Sequence, residues 1–549
     1  MIEKIIIENF KCFEGRFELV LNDELNVIVG NNEAGKSTVL EAIHLALTGF
    51  FRGRTIKNGL SQYLFNYVVL SSFLDSVQKG VPNEPPYILI ELYLKELNPD
   101  LEGDRFSDKE NYGKTSGIGL KIALDDKYLE EYNTILESRE LSSLPVEYYD
   151  VEWYSFARKS ITSRSIPIKS SFIDVGFSKF LNGSDMYISR IIRDVLDIED
   201  QVKVSQAYRS VKDFFSCDES ITGINSKLKC VTKLSDKSIE LGVDLGSRAT
   251  WDGSLVTLFD KIPFDFIGKG EQAIIKTDLS LSNVNALKSS VVLIEEPESH
   301  ISHTRLNQLI TSIKDSYPDK QIIVTTHSSF VSNKLGLNNL ILMHNRNAVH
   351  FSNIKSKEFF EKISGYDTLR FILCRKAILV EGDSDELVVQ RAYFDKYQKL
   401  PIEKGVEVIS VGTSFLRFLE IAEELVTVQV SVLTDNDGDL ELLKRKYENY
   451  LGENKKENIN IYFDEDIDPR TSISMKGAKR KFNFNTLEPL LLRENNLDVL
   501  NTVFNKQYSN EDDLLKYMKN EKTECALKIL LSKEMINYPK YIMEAINEK

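Results

Sequence analysis

The segment Gly30-Asn31-Asn32-Glu33-Ala34-Gly35-Lys36-Ser37 constrains this chain more than any other. It follows an apolar run, Leu25-Asn26-Val27-Ile28-Val29, that reads as a strand. It opens a second run, Ser37-Thr38-Val39-Leu40-Glu41-Ala42-Ile43, that reads as a helix. A chain that turns from strand to helix through glycines at these positions aims successive N–H groups at one point, beside the positive end of the helix. Phosphate oxygens fit that point. The expected cradle is therefore Asn31, Asn32, Glu33, Ala34, Gly35, Lys36, Ser37 and Thr38. Lys36 reaches the outer phosphates and the Ser37 hydroxyl ligates Mg²⁺. The expected cofactors are ATP and Mg²⁺ (or Mn²⁺).

Two later segments repeat one design, a short apolar strand that delivers polar groups at its tip. Val291-Val292-Leu293-Ile294 ends in Glu295-Glu296, and Gln321-Ile322-Ile323-Val324 leads through Thr325-Thr326 to His327. Alone, either is equally an ordinary solvated strand end. Behind a phosphate loop they suit nucleotide hydrolysis, with Glu295 holding Mg²⁺ through water, Glu296 orienting the attacking water and His327 sensing the γ-phosphate.

The last third repeats the strand-end design with acids. Ala377-Ile378-Leu379-Val380 ends in Glu381-Gly382, and Val430-Ser431-Val432-Leu433-Thr434 ends in Asp435-Asn436-Asp437. The second also resembles a calcium loop or an ordinary turn. In a parallel sheet the carboxyl ends of the strands share one edge, which brings Glu381, Asp435 and Asp437 together. Carboxylates so gathered repel one another unless protonated or bridged, and a hard divalent cation is the natural bridge.

The reading divides the chain into residues 1–365, carrying the nucleotide motifs, and 366–549, carrying the acids. Within the first part, 99–150 is polar and reads as a surface loop followed by short elements. The stretch from about 170 to 235 reads as a mostly helical insert, from the spacing of Ile188, Ile191, Ile192, Val195 and Leu196, and is expected to serve self-association. The net charge of −14 argues against a generally basic nucleic-acid binder. Lys476, Lys479, Arg480 and Lys481 nevertheless cluster between Asp437 and Glu488, as a solvated loop or as an edge that tracks phosphates. The five cysteines are scattered, which fits a reducing cytoplasm, and no apolar run is long enough to span a membrane.

With these motifs in hand, a resemblance is plain. Ile7-Glu8-Asn9-Phe10-Lys11-Cys12-Phe13, the phosphate loop, Glu295-Glu296-Pro297-Glu298-Ser299-His300 and Thr325-Thr326-His327-Ser328-Ser329 resemble ABC-type ATPases of the SMC and RecF kind. That resemblance implies a dimer in which a signature loop crosses to the opposing nucleotide. The candidate loop is Gly268-Lys269-Gly270-Glu271-Gln272, with Gly270 and Gln272 on the nucleotide. The family has aspartate at the Glu295 position and a serine in its signature, and both are missing here. No heptad run is present, which excludes a coiled-coil arm. The acids after Val380 and Thr434 look like the Toprim fold. An ABC ATPase followed by Toprim resembles the OLD (overcoming-lysogenization-defect) nucleases, including the Gabija-type and retron-associated ones. The resemblance implies that Asp385 joins Glu381 at one metal, that Asp435 and Asp437 serve a second, that Glu488 adds a further acid, and that Lys522 (alternatively Lys519) offsets transition-state charge. It implies an α/β chain: an SMC/RecF-like P-loop ATPase with a helical dimerisation insert, then a C-terminal Toprim domain. The implied activity is metal-dependent endonuclease or nickase action on double-stranded DNA in antiphage defence, by a homodimer or higher homo-oligomer, with a helicase-like or retron partner (reverse transcriptase plus noncoding RNA). The competing readings are an SMC/RecF-like repair protein and a nucleotide-gated DNA scaffold with an inactive nuclease.

Overall fold

The computed structural model describes the chain except for residues 52–53, 97, 109–112, 138–140, 163–164, 175–179, 182–183, 186–195, 230–256, 273, 276–289, 300, 317–319, 345–346, 352–354, 363–367, 426–427, 476–477 and 548–549. Two compact units result, one of residues 1–327 and 339–350, the other of 328–338 and 351–549.

In the first unit, the run Leu25–Gly30 lies inside a six-stranded sheet. The order is Ser170–Asp174, Val291–Glu295, Gln321–Thr325, Leu25–Gly30, Leu340–His344, Asn347–His350. The first five strands are parallel and the last is antiparallel. Val27, Ile28 and Val29 are fully buried, as strands covered on both faces require. Parallel pairing puts the ends of Leu25–Gly30, Val291–Glu295 and Gln321–Thr325 on one edge, which gathers the nucleotide motifs. A second, antiparallel sheet has the order Ser160–Ile161, Tyr149–Ser155, Thr115–Leu124, Ile88–Leu94, Ile2–Glu8, Arg16–Val20. The helix Lys36–Thr48 packs between the sheets, burying Val39, Leu40, Ile43 and Leu47 in one core with residues of both. The Trp153 indole N–H donates to the Ala46 carbonyl at 3.0 Å and ties that helix to the second sheet.

Two expectations need correction here. The polar stretch 99–150 is not only surface loop: Thr115–Leu124 is a ten-residue strand inside the antiparallel sheet. Glycine masks its pattern. A Cβ on Gly117 would stand 2.0 Å from the Phe156 ring, so a neighbouring aromatic fills the place of the missing side chain. The stretch from about 170 is not helical at its start. Ser170–Asp174 joins the parallel sheet beside Val291–Glu295, and Phe180–Leu181 pairs with Ser184–Asp185. Its partner strand lies more than a hundred residues away, and local periodicity carries no trace of it. Helices follow at Ile198–Cys217 and Glu219–Lys229. Ile188, Ile191, Ile192 and Val195 lie outside the described residues.

The second unit is built on four parallel strands in the order Val406–Ser410, Lys376–Val380, Gln429–Leu433, Ile459–Tyr462. The helix Asp383–Tyr397 follows Lys376–Val380 and packs on the helix Lys522–Leu531. Helices Leu487–Glu494, Leu497–Phe504, Glu511–Asn520 and Lys540–Ala545 complete it, and their apolar residues Leu490, Leu500, Leu514 and Ile542 share the core of the strands. The helix Ser329–Leu335 belongs to this unit, packed against Lys357–Lys362 and Thr368–Leu373.

Candidate functional site

The phosphate loop takes its shape from two residues with positive φ, Glu33 at 67° and Gly35 at 97°. Gly35 caps the helix Lys36–Thr48, whose first turn carries no acid to compete with an anion. Lys36 is buried, and its ammonium donates to the carbonyls of Gly30 at 3.0 Å and Asn31 at 3.1 Å. Burial lowers its pKa, opposed by the charges of Glu296, Glu298 and Glu295. Those acids therefore face the lysine, as the strand order demands. Asn31, Asn32 and Glu33 are exposed, Ala34 and Ser37 are half-buried, and the Thr38 hydroxyl accepts from the Cys12 thiol at 3.5 Å.

Glu296 sits just past its strand with φ at 41°, its N–H bonded to the Thr325 carbonyl at 3.0 Å. Its carboxylate meets His327 Nε2 at 3.4 Å. Burial, then the Lys36 charge, holds the His327 pKa below its ordinary value of 6.5, so the ring is neutral at pH 7. Sequence reasoning missed Glu298. One of its oxygens accepts from the Thr326 hydroxyl and the His327 N–H, both at 2.7 Å, while the other is buried without a partner among the described residues. Glu298 thus clamps the histidine loop to the loop that carries Glu296. The proline and acid after Glu296 were the available signal, but only folding puts them against Thr326.

The signature candidate is different in kind. Residues 269–272 are helical, and Gln272 is buried with its amide nitrogen donating to the carbonyls of Phe264 at 2.9 Å and Ile267 at 3.0 Å. Both amide hydrogens hold the local turn, so in this conformation the side chain offers a nucleotide no donor. Gly270 lies in the same turn. Gln62, the sequence's candidate for the glutamine that ABC-type ATPases place near the nucleotide, is likewise engaged, its oxygen accepting from the Leu144 N–H at 3.0 Å.

The acidic site assembles at the carboxyl ends of Lys376–Val380 and Gln429–Leu433, two adjacent parallel strands. Glu381 is exposed just past the first. Asp385 lies in the first turn of the next helix, where its carboxylate accepts from the Gly382 N–H at 3.1 Å. Asp435 follows the second strand. Asp437 takes φ of 49° and accepts from the Asn483 amide at 2.9 Å. Asn436 turns the loop, its amide donating to the carbonyls of Asp464 at 2.7 Å and Asp466 at 2.9 Å. Glu488 is buried in the first turn of Leu487–Glu494 and meets Lys522 Nζ at 3.0 Å. Lys519 instead lies over the Phe482 ring, 5.0 Å from its centroid.

The electrostatics of this group are adverse. Burial, then the charge of Glu488, raises the Asp385 pKa to about 6. Asp435 is pushed well above its usual range by burial, then by Asp385, Glu488, Glu381 and Asp437. Lys522 loses some affinity for its proton through burial, but Glu488 more than restores it. A cleft lined by Glu381, Asp385, Thr434, Asp435 and Tyr541 opens between these groups. Among the described residues no three acid, imidazole or thiol groups close round an ion as they stand. The donor chemistry fits a hard divalent cation all the same: the donors are carboxylate oxygens alone, and positive charge is what their mutual repulsion calls for. Glu381, Asp385, Asp435, Asp437 and Glu488 are the residues that would hold it.

Of the basic cluster, Lys479, Arg480 and Lys481 are exposed on a strand paired with Ser472–Met475, and Lys476 lies outside the described residues. The strand leads directly to Asn483, the donor to Asp437.

Comparison with known proteins finds two family models on this chain, which overlap at residues 372–400. A family model described as an AAA domain matches residues 4–400. A second, described as an overcoming lysogenization defect protein-like TOPRIM domain, matches residues 372–437. The structural maintenance of chromosomes protein 6 of Saccharomyces cerevisiae is 35% identical over 107 residues, 18% of this chain but only 9% of that protein. Among solved structures, an Smc head bound to the C-terminal winged-helix domain of ScpA is 16% identical, with 65% of this chain and 99% of that one covered at a TM-score of 0.33. The SMC head domain of Thermotoga maritima is also 16% identical, with 63% and 97% covered at a TM-score of 0.27. No described helix is long and apolar enough to cross a membrane.

Proposed function

Since the chain belongs to the AAA-domain ATPases and carries an overcoming-lysogenization-defect-like Toprim domain, we propose that it is an ATP-binding, divalent-metal-dependent endonuclease that hydrolyses phosphodiesters of double-stranded DNA. The observation that carries this reading is the convergence of Glu381, Asp385, Asp435, Asp437 and Glu488, with Lys522 beside them. When bound, Mg²⁺ or Mn²⁺ at such a site supplies Lewis acidity and an activated water. The chain's own residues do the rest. Glu381 and Asp437, at the exposed rim, meet the incoming strand first. Asp385 and Asp435 lie deeper and hold the reacting groups in register. Lys522, half exposed, adds positive charge where the phosphoryl oxygens gain negative charge. Lys479, Arg480 and Lys481 extend this edge toward the flanking backbone.

In the other unit, Lys36, which now rests on two backbone carbonyls, would turn to phosphate oxygens, and Ser37 and Glu295 would hold the nucleotide's Mg²⁺. Glu296 would orient water and the neutral His327 would donate to the γ-phosphate. Two copies complete the ATP sites in this reading. The exposed Val211, Phe214 and Phe215 of the helix Ile198–Cys217 support self-association, since an isolated helix would not display them. The biological role proposed is antiphage defence. The stretch shared with structural maintenance of chromosomes protein 6 favours a second reading, an SMC-like DNA-processing ATPase without a defence role. Phage plating and DNA-damage survival of strains with and without the gene separate the two.

The direct test is nicking of supercoiled plasmid. Asp435→Ala and Glu381→Ala should each abolish Mg²⁺- or Mn²⁺-dependent cleavage while ATP affinity stays at the wild-type value. Cleavage at the wild-type rate by Asp435→Ala would make the acids an ordinary solvated edge.

A further inference from the structure

The cleft between the carboxylates has one wall that none of the motifs supplies. Tyr541, on the short helix Lys540–Ala545 near the end of the chain, lines it together with Glu381, Asp385 and Asp435. The ring is 6% exposed, and its hydroxyl makes no hydrogen bond among the described residues. The hydroxyl keeps a trace of solvent contact through the cleft, so its donor stands uncommitted beside the acids.

The rest of the segment is anchored with care. Lys376, at the start of the strand that delivers Glu381, donates its ammonium to the carbonyls of Ala545 at 2.7 Å and Asn547 at 2.9 Å. The Tyr397 hydroxyl donates to the Ile546 carbonyl at 3.2 Å, and Tyr538 donates to Asp395 at 2.5 Å. Ile542, the next residue, is buried in the core of the unit. The segment is thus tied on both sides of Tyr541 to the helix Asp383–Tyr397 and to the strand Lys376–Val380, which holds the phenol at the acids.

The donor inventory says what such a group is for. A carboxylate that ligates a cation is ionised and only accepts hydrogen bonds. Its two oxygens offer more acceptor positions than the cation uses, and in a buried site the remainder need donors. Lys522 is committed to Glu488, and Asp385 has the Gly382 N–H. For Asp435 no hydrogen bond is formed by its carboxylate among the described residues; of the two hydroxyls that line the same cleft, Thr434 gives its own to the Asp435 backbone carbonyl at 3.4 Å, which leaves Tyr541. Resting on the nuclease reading above, we propose that Tyr541 is a positioning residue of that centre, whose hydroxyl donates to the Asp435 carboxylate and fixes its orientation toward a divalent cation. The phenol remains protonated throughout and attacks nothing: burial and the surrounding acids both disfavour its anion.

The test uses the full-length protein without nucleotide, compares wild type with Tyr541→Phe, and takes Tyr538→Phe as the control from the same segment. The probes are Mn²⁺ by calorimetry and Tb³⁺ by luminescence excited through tyrosine. Tyr541→Phe should weaken Mn²⁺ binding by about 10–100-fold, as loss of an outer-shell partner does. It should remove most of the Tb³⁺ emission and leave the metal-free melting temperature level, since no hydrogen bond of the folded chain is lost. Tyr538→Phe should do the reverse, lowering the melting temperature through loss of the Asp395 bond while Mn²⁺ affinity and Tb³⁺ emission hold. Unchanged Mn²⁺ affinity or unchanged emission in Tyr541→Phe overturns the inference, and so does a fall in metal-free stability that matches Tyr538→Phe. If the wild type binds Mn²⁺ and nicks plasmid while Tyr541→Phe equals it, this inference alone fails. If the wild type does neither, the nuclease reading fails and takes the inference with it.

Discussion

The nucleotide site and the acidic site use the same device, polar groups carried on the ends of parallel strands, yet they stand in opposite states without ligand. At the nucleotide site most charges already have partners. Lys36 rests on the carbonyls of Gly30 and Asn31, Glu296 on His327, and Glu298 on Thr326 and the His327 N–H. At the acidic site Asp385 and Asp435 face like charges, and the Gly382 N–H on Asp385 and Lys522 on Glu488 offset them in part. The difference follows from the ligand. An anion site is built of N–H groups and a lysine, which can borrow backbone carbonyls while they wait. A cation site is built of carboxylates, which have nothing of their own to borrow except protons.

The contrast can be broken or sharpened at four points. The largest effect belongs to Lys522, the cation that meets Glu488. Lys522→Ala should slow plasmid cleavage by about 10²–10³, the usual cost of one charge-stabilising donor, while Mn²⁺ still binds. Single-turnover cleavage beside calorimetry reads both, and loss of Mn²⁺ binding would make Lys522 a prop for Glu488 and nothing more.

Next comes the cation of the nucleotide site. Lys36→Ala removes charge-assisted bonds worth about 1.5–3 kcal/mol and should weaken ATP binding about 10–100-fold with the fold intact. Equal affinity by calorimetry would overturn the phosphate-loop assignment.

Third is the proton stand-in. The raised pKa of Asp385, about 6 in the folded chain against an ordinary 3.8, means that the folded state holds a proton the unfolded chain has released between those values. Its stabilising effect is complete below pH 4 and is lost as pH rises through 6, on the order of 3 kcal/mol. The metal-free melting temperature should therefore fall between pH 5 and 7.5, Mn²⁺ should suppress that fall, and Asp435→Asn should flatten it. A melting temperature independent of pH and of Mn²⁺ would show that the acids do not strain the fold.

The smallest effect is at Glu298. Glu298→Gln keeps the shape but weakens the bonds that place His327, which are worth about 1 kcal/mol. ATP turnover should fall by roughly tenfold with ATP affinity unchanged. A parallel loss of affinity would place Glu298 on the nucleotide itself.

How much of this could be read from the chain depends on the range of the interaction. The phosphate loop, the pairs Glu295-Glu296 and Asp435-Asn436-Asp437, and the acid at 381 each lie within one strand and its following turn, and a short apolar run announces them. The choice of Lys522 over Lys519 rested on resemblance, whereas in the fold one meets Glu488 and the other lies on Phe482. Gln272 shows the converse. The resemblance to ABC-type ATPases implied a nucleotide contact for it, whereas in this conformation the turn at Phe264 and Ile267 takes both its donors.

By itself the sequence determined which strand ends carry charge and of which sign, because strand, turn and helix start are local and their residues adjoin. Only the tertiary structure decided which of those ends meet and what else joins them. It inserted Ser170–Asp174 beside Val291–Glu295, set Glu298 against the His327 loop, and brought Tyr541 from the far end of the chain to the acids. The physical reason is common to all three. Each contact joins residues that share no local pattern, held by backbone pairing or core packing whose partners lie far along the chain.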